Sequence, residues 1–469
     1  MHRRAIALLI ITLPLLLSAC DIKGLPISPT ATSIIGAMPT ATSAEVSQLP
    51  SKTTVAATAA PTSARMTSTA QATAQAGGTV MPQVSTGDPA TDQVLLQVEL
   101  DAIEVRGLKP KEDVPELVIN REQLRANLIE SFKEDYSQEE ARQDAIELWL
   151  LRFSNTRTLD LYQLFLDLYT EQIAGYYDPE KNEMYILSES TEISPSRKET
   201  LAHEFVHSLQ DQHYDLEKML PDESTDDDRN RAVRSLVEGD ATVAGVMYAY
   251  QYLSPEEFQK IIEESGKAPS AVLNRVPTYI KEDLLFPYTE GSAFVTKLIE
   301  RGGYQRVNAA FADPPQSTEQ IIHPEKYIQL PRDEPIPVVI PPLTSTLGAG
   351  WTYRDGYTFG EFDLRELLKE NGANNADKAA AGWGGGQTAF YENDESALYV
   401  VDTRWDTQDE AVEFEQALRS TFARSRRVGE LWSDGEGARF FGIISSGDRV
   451  ALISATDQKT VETAMSALK

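Results

Sequence analysis

The chain has 469 residues, a formal net charge of −29 and only five histidines. That length allows two or three domains. The acidity argues against nucleic-acid binding, which needs a basic face, and fits a charged, solvated surface.

The N-terminus reads as a targeting segment. A basic start, MHRR, precedes an apolar run from Ala5 to Leu17 that is short for a membrane-spanning helix. It ends in Leu17-Ser18-Ala19-Cys20, and Cys20 is the sole cysteine. The tetrapeptide resembles the lipobox of bacterial lipoproteins, so residues 1–20 are expected to be a signal peptide with Cys20 as the lipidation site. The resemblance implies an extracytoplasmic protein, anchored to a bacterial membrane by lipid. Residues 21–92 are rich in Ala, Thr, Ser and Pro with few aromatics, and read as a disordered tether.

Periodic apolar residues begin near Val94, in LQVELDAIEVRGL. ELVINREQLRANLIESF reads as a strand running into a helix; EEARQDAIELWLLRF and TLDLYQLFLDLYTEQI follow as amphipathic helices. The turn residues DPEKN between two Tyr-containing apolar runs predict a hairpin over 173–187. Its second strand, MYIL, is expected to offer a sheet edge to an extended peptide. A helix starts next, with two candidate signals: Ser196 and Glu199 at capping-box spacing, or Ser194 followed by Pro195. The acidic loop PDESTDDDRN leads to the helix RAVRSLVEGDATVAGVMYAY; SPEEFQKIIEES and EGSAFVTKLIERGG read as two more.

Residues 331–350 are Pro-rich and read as a linker. Beyond it, 351–469 has the order ββαββα, expected to form a small α+β domain of unknown role. Gly384, Gly385 and Gly386 are read as a turn. The expected fold class is therefore α+β: a mainly helical domain with a small sheet over 93–330, then the C-terminal domain.

The chemistry concentrates in LAHEFVHSLQDQH, residues 201–213, which holds three of the five histidines. His203 and His207, four apart on a helix, put both imidazoles on one face, able to grip one metal ion. Glu204 beside them makes the HExxH arrangement, with Glu as general base on a metal-activated water. Glu238, on the next helix, is the candidate third ligand. Three protein ligands and one open position suit a catalytic rather than a structural zinc. Zn²⁺ is inferred from the ligand types. Asp240 and Asp211 are candidates to orient a ligating imidazole. His213 is expected at the surface, and His323, before a proline, at the end of an element.

HEFVH followed about thirty residues later by Glu238-Gly239-Asp240-Ala241 resembles the gluzincin (HExxH…EGxA, peptidase MA-like) zinc metallopeptidases. The resemblance covers roughly 170–330. It implies a zincin-like fold, Zn²⁺ held by His203, His207 and Glu238, and a peptide or protein substrate. Its aminopeptidase-like branch carries a tyrosine roughly eighty residues after the zinc helix, whose hydroxyl stabilises the oxyanion. By resemblance Tyr288, in FPYTEG, takes that part. The gap from His207 to Glu238 is longer than in that branch, and IAGYYDPEKNEMYIL lacks its Gly-x-Met-Glu-Asn segment, so aminopeptidase specificity is not carried over. The expectation is a membrane-tethered zinc metallopeptidase. The alternative is a catalytically inactive lipoprotein of the same fold that binds a peptide or cell-envelope component. Oligomeric state stays open.

Overall fold

The computed structural model describes residues 10–12, 82, 84 and 88–469, except 188–192, 222–225, 266–270 and 436–437. Cys20 and nearly all of the expected tether lie outside the described residues. Among those described, no helix is long and apolar enough to cross a membrane.

Helix α1 (Pro89–Arg106) starts five residues before the sequence pattern placed it, because Asp88 accepts from Thr91 N as its N-cap and Pro89 fits the first turn. Strand β2 (Glu116–Ile119) leads into α2 (Arg121–Asp135), capped by a reciprocal Asn120–Gln123 box. Helices α3 (Gln138–Leu150) and α4 (Leu161–Gln172) follow, then the expected hairpin of β3 (Gly175–Asp178) and β4 (Glu183–Leu187). Of the two start signals for α5 (Pro195–Tyr214), Ser194 with Pro195 is used: the Ser194 side chain accepts from Arg197 N. Helices α6 (Asp227–Tyr252), α7 (Pro255–Ser265) and α8 (Thr278–Ala312) complete this half. Backbone breaks at Gly302 and Gly303 divide α8, and only Gly303 has positive φ.

The small sheet has the order β1-β3-β4-β2, where β1 is Ile10–Thr12. This corrects the expectation for MYIL. β4 is an inner strand, antiparallel to β3 and parallel to β2. The edge strands are β1 and β2; β3 is flanked by β4 and, on its outer side, by antiparallel Ile10–Thr12.

The C-terminal half keeps the ββαββα order and adds to it. Strands β5 (Thr352–Asp355), β6 (Trp383–Glu392), β7 (Ala397–Trp405), β8 (Arg426–Val428), β9 (Leu431–Asp434), β10 (Arg439–Ser446) and β11 (Arg449–Ala455) form one antiparallel sheet, ordered β5-β6-β7-β11-β10-β9-β8. Helices α9 (Glu361–Glu370), α10 (Gln408–Ser420) and α11 (Gln458–Leu468) accompany it. Gly384, Gly385 and Gly386 are strand residues, not a turn. Other backbone lies against them: a Cβ on Gly385 would sit 2.1 Å from the Ile336 carbonyl oxygen, and one on Gly386 2.3 Å from that of Phe359.

Residues 331–350 are not a free linker. Ile336 N donates to the Gly384 carbonyl at 2.5 Å, and buried Leu343 packs on the outer face of the large sheet. Lys326 then fixes this strap, its ammonium meeting Glu319 at 2.6 Å, Asp333 at 2.7 Å and Asp406 at 2.9 Å. That acidic cluster has its cation already. The two halves share one apolar core, running from Ile119 on β2 to Leu452 on β11. Arg231 and Tyr279 in the first half both bond Asp363 on α9.

Candidate metal centre

Helices α5 and α6 carry the centre, and β3 closes it. His203 and His207 point from one face of α5, and Glu238 from α6 meets them. His203 Nε2 and His207 Nε2 lie 2.9 Å apart, and the Glu238 Oε2 stands 3.2 Å from the first and 3.3 Å from the second. All three side chains are buried. Tetrahedral donors about 2.05 Å from a common ion stand about 3.3 Å from one another. The observed triangle fits such an ion with little rearrangement.

The protonation states also suit a cation. Burial holds the His203 imidazole below its usual range, so its lone pair is free. Burial alone would raise Glu238, but His207 and His203 beside it bring its carboxyl down to about 2. The Glu238 carboxylate places a negative charge at the point where the three side chains converge.

A residue not singled out in the sequence orients His207. Gln210, one turn further along α5, places Oε1 2.8 Å from His207 Nδ1. Its own amide donates to Val237 O at 3.0 Å and to Asp240 Oδ2 at 2.8 Å. The amide is thereby locked with its oxygen toward the ring, so Nδ1 donates to it and Nε2 faces His203 and Glu238. Asp240 thus acts on His207 only through Gln210. Its carboxylate also pairs with Arg106 at 2.7 Å, both side chains fully buried. Arg106 extends the chain to Asn308 and stacks over Tyr304. The spacing of Gln210, three after His207, was the available signal; nothing local pointed to Arg106.

Asp211 does not touch a ligand. It accepts from Tyr177 Oη at 2.9 Å and from Leu216 N, fixing the end of α5 to β3. His213 binds the Lys109 carbonyl and His323 pairs with Glu361, both away from the centre.

Glu204 is buried and lies against the small sheet: a Cβ on Gly175 would come within 3.4 Å of its Cγ. Tyr288 approaches from α8. It stands in the interior of that helix rather than at its start, directly after Pro287. Its ring lies 6.3 Å from that of His203. Burial, then the charges of Glu238 and Glu204, hold its phenol well above the usual range, so it is a hydroxyl and a proton donor.

Two glycines make this approach possible. A Cβ on Gly239 would lie 2.3 Å from the backbone of Gly291, and one on Gly291 would lie 2.3 Å from Ser235 O. Helices α6 and α8 therefore cross backbone to backbone. The glycine of the E-G-D-A segment and that of the P-Y-T-E-G segment touch each other, which brings Tyr288 to Glu238.

Residues 351–465 match a family model described as Domain of unknown function (DUF8575), a stretch that holds none of the centre's residues. No curated protein and no solved structure matches the chain.

Proposed function

We propose that this protein is a zinc-dependent metallopeptidase, tethered through lipid on Cys20 at the outer face of a bacterial membrane, with a zincin-like catalytic unit. The convergence of His203, His207 and Glu238 beside Glu204 carries the reading. Zinc, when bound, supplies a Lewis acid and brings a water's pKa toward neutrality. Glu204 takes the proton of the attacking water and passes it to the leaving amine. The Tyr288 hydroxyl donates to the oxygen of the scissile carbonyl as it gains charge. Gln210 and Asp240 hold His207 in the tautomer that the site needs. An extended peptide is placed on the outer side of β3, next to Glu204. Removal of the first twenty residues as a signal peptide would uncover that side.

The test is metal content by elemental mass spectrometry, followed by peptide cleavage. The purified protein is expected to hold about one zinc per chain, lost in His207→Ala and Glu238→Ala. Glu204→Gln should keep the zinc and lose cleavage. Wild-type protein without zinc after reconstitution, or Glu204→Gln with full activity, would sink the reading.

A further inference from the structure

Arg234 lies four residues before Glu238 on α6, hence one turn away on the same helix face. It is partly buried, and it stands beside the contact of Ser235 with Gly291, one turn from Tyr288. Among the described residues it makes no hydrogen bond and no ion pair. Other buried or partly buried arginines differ. Arg231 bonds Asp283 at 2.6 Å, Arg106 bonds Asp240 at 2.7 Å, and Arg365 bonds Glu366 at 3.1 Å. A partly desolvated guanidinium with no counter-charge is costly unless a ligand supplies one. In a chain with 72 acidic residues, that vacancy is conspicuous. Its charge also reaches the phenols of Tyr288 and Tyr169. The Tyr169 hydroxyl is itself buried and finds no hydrogen-bond partner.

We propose that Arg234 recognises a carboxylate of the substrate, supplied by the chain terminus or by an Asp or Glu side chain close to the scissile bond. This rests on the peptidase reading above. Four residues of helix rise about 6 Å, and an extended peptide advances about 3.3 Å per residue, so the carboxylate sits about two residues from the metal centre. The planar guanidinium takes both carboxylate oxygens at once, which a lysine cannot match.

The experiment uses the zinc-loaded full chain and three hydroxamate-Leu-Ala-X peptides, with affinity read by calorimetry. One is neutral (X is Gln, amidated). One has a free terminal carboxylate (X is Gln). One has a side-chain carboxylate (X is Glu, amidated). The expected result is that one charged peptide binds at least tenfold more tightly than the neutral one. Which of them does so identifies the source of the carboxylate. Arg234→Gln should abolish that preference while zinc content and affinity for the neutral peptide stay unchanged, and Arg234→Lys should keep part of it. Equal binding of all three to the wild type, or a preference that survives Arg234→Gln, would overturn the role of Arg234 alone. Absence of zinc, or no binding of even the neutral peptide, would instead remove the peptidase reading and this proposal with it.

Discussion

Gln210 accepts a hydrogen bond from His207 at 2.8 Å across one turn of α5, and this contact fixes which ring nitrogen faces Glu238. Loss of such an outer partner typically weakens metal binding 10–100-fold. Gln210→Leu is therefore expected to bind zinc about 10–100 times more weakly, measured by competition with a chelator of known affinity. Unchanged affinity would mean that the ring is held by packing alone.

Tyr288 has a different expected signature. Tyr288→Phe removes the phenolic hydroxyl from beside the centre but leaves all three candidate ligands. Loss of a single oxyanion donor costs on the order of 10²–10³ in kcat. The variant should keep its zinc and bind the neutral hydroxamate as before. Parallel loss of zinc and activity would assign Tyr288 a structural part instead.

The Arg106–Asp240 pair is buried on both sides. Removing one partner strands the other charge, at about 3–5 kcal/mol. Asp240→Asn is expected to lower stability by roughly that amount in urea unfolding of the metal-free protein. Replacing both by apolar residues, as in Arg106→Met with Asp240→Leu, should recover much of it. A double variant as unstable as the sum of both single ones would contradict this account.

Glu199, one turn before His203, gives a pH-dependent prediction. Burial raises its carboxyl to about 7 from an ordinary 4.5. The folded state thus holds a proton that the unfolded chain releases, and stability falls as pH rises from about 4.5 to about 7. The full penalty above that window is about 3 kcal/mol. Glu199→Gln cannot ionise, so it should gain stability over the wild type at pH 8 and much less at pH 5. Unfolding midpoints at the two pH values decide it; an equal difference at both would refute the linkage.

The hairpin, the helices around the centre and the ββαββα order were legible because each rests on local signals: turn residues, caps and apolar period. His203 and His207 were legible because four-residue spacing on a helix already fixes their shared face, and Glu204 because it stands next to His203 in the HExxH arrangement. The edge strand, the glycines of β6 and the packed strap at 331–350 were misread. Each depends on what lies across from it, and a strand's neighbours are set by chain segments distant in sequence. Asp211 was misassigned for the same reason, since helical spacing does not say which of two faces meets β3.

The sequence by itself determined the face of α5 that carries both imidazoles, the candidate base and the acid on α6, because residue type and helical period suffice for these. Only the tertiary structure decided that Gln210 rather than an aspartate holds His207, that Arg106 secures Asp240 from 134 residues away, and that Gly239 meets Gly291. Those contacts join helices whose separation in sequence carries no periodic signal, and they form only when the backbones pack closely enough for single atoms to decide the partner.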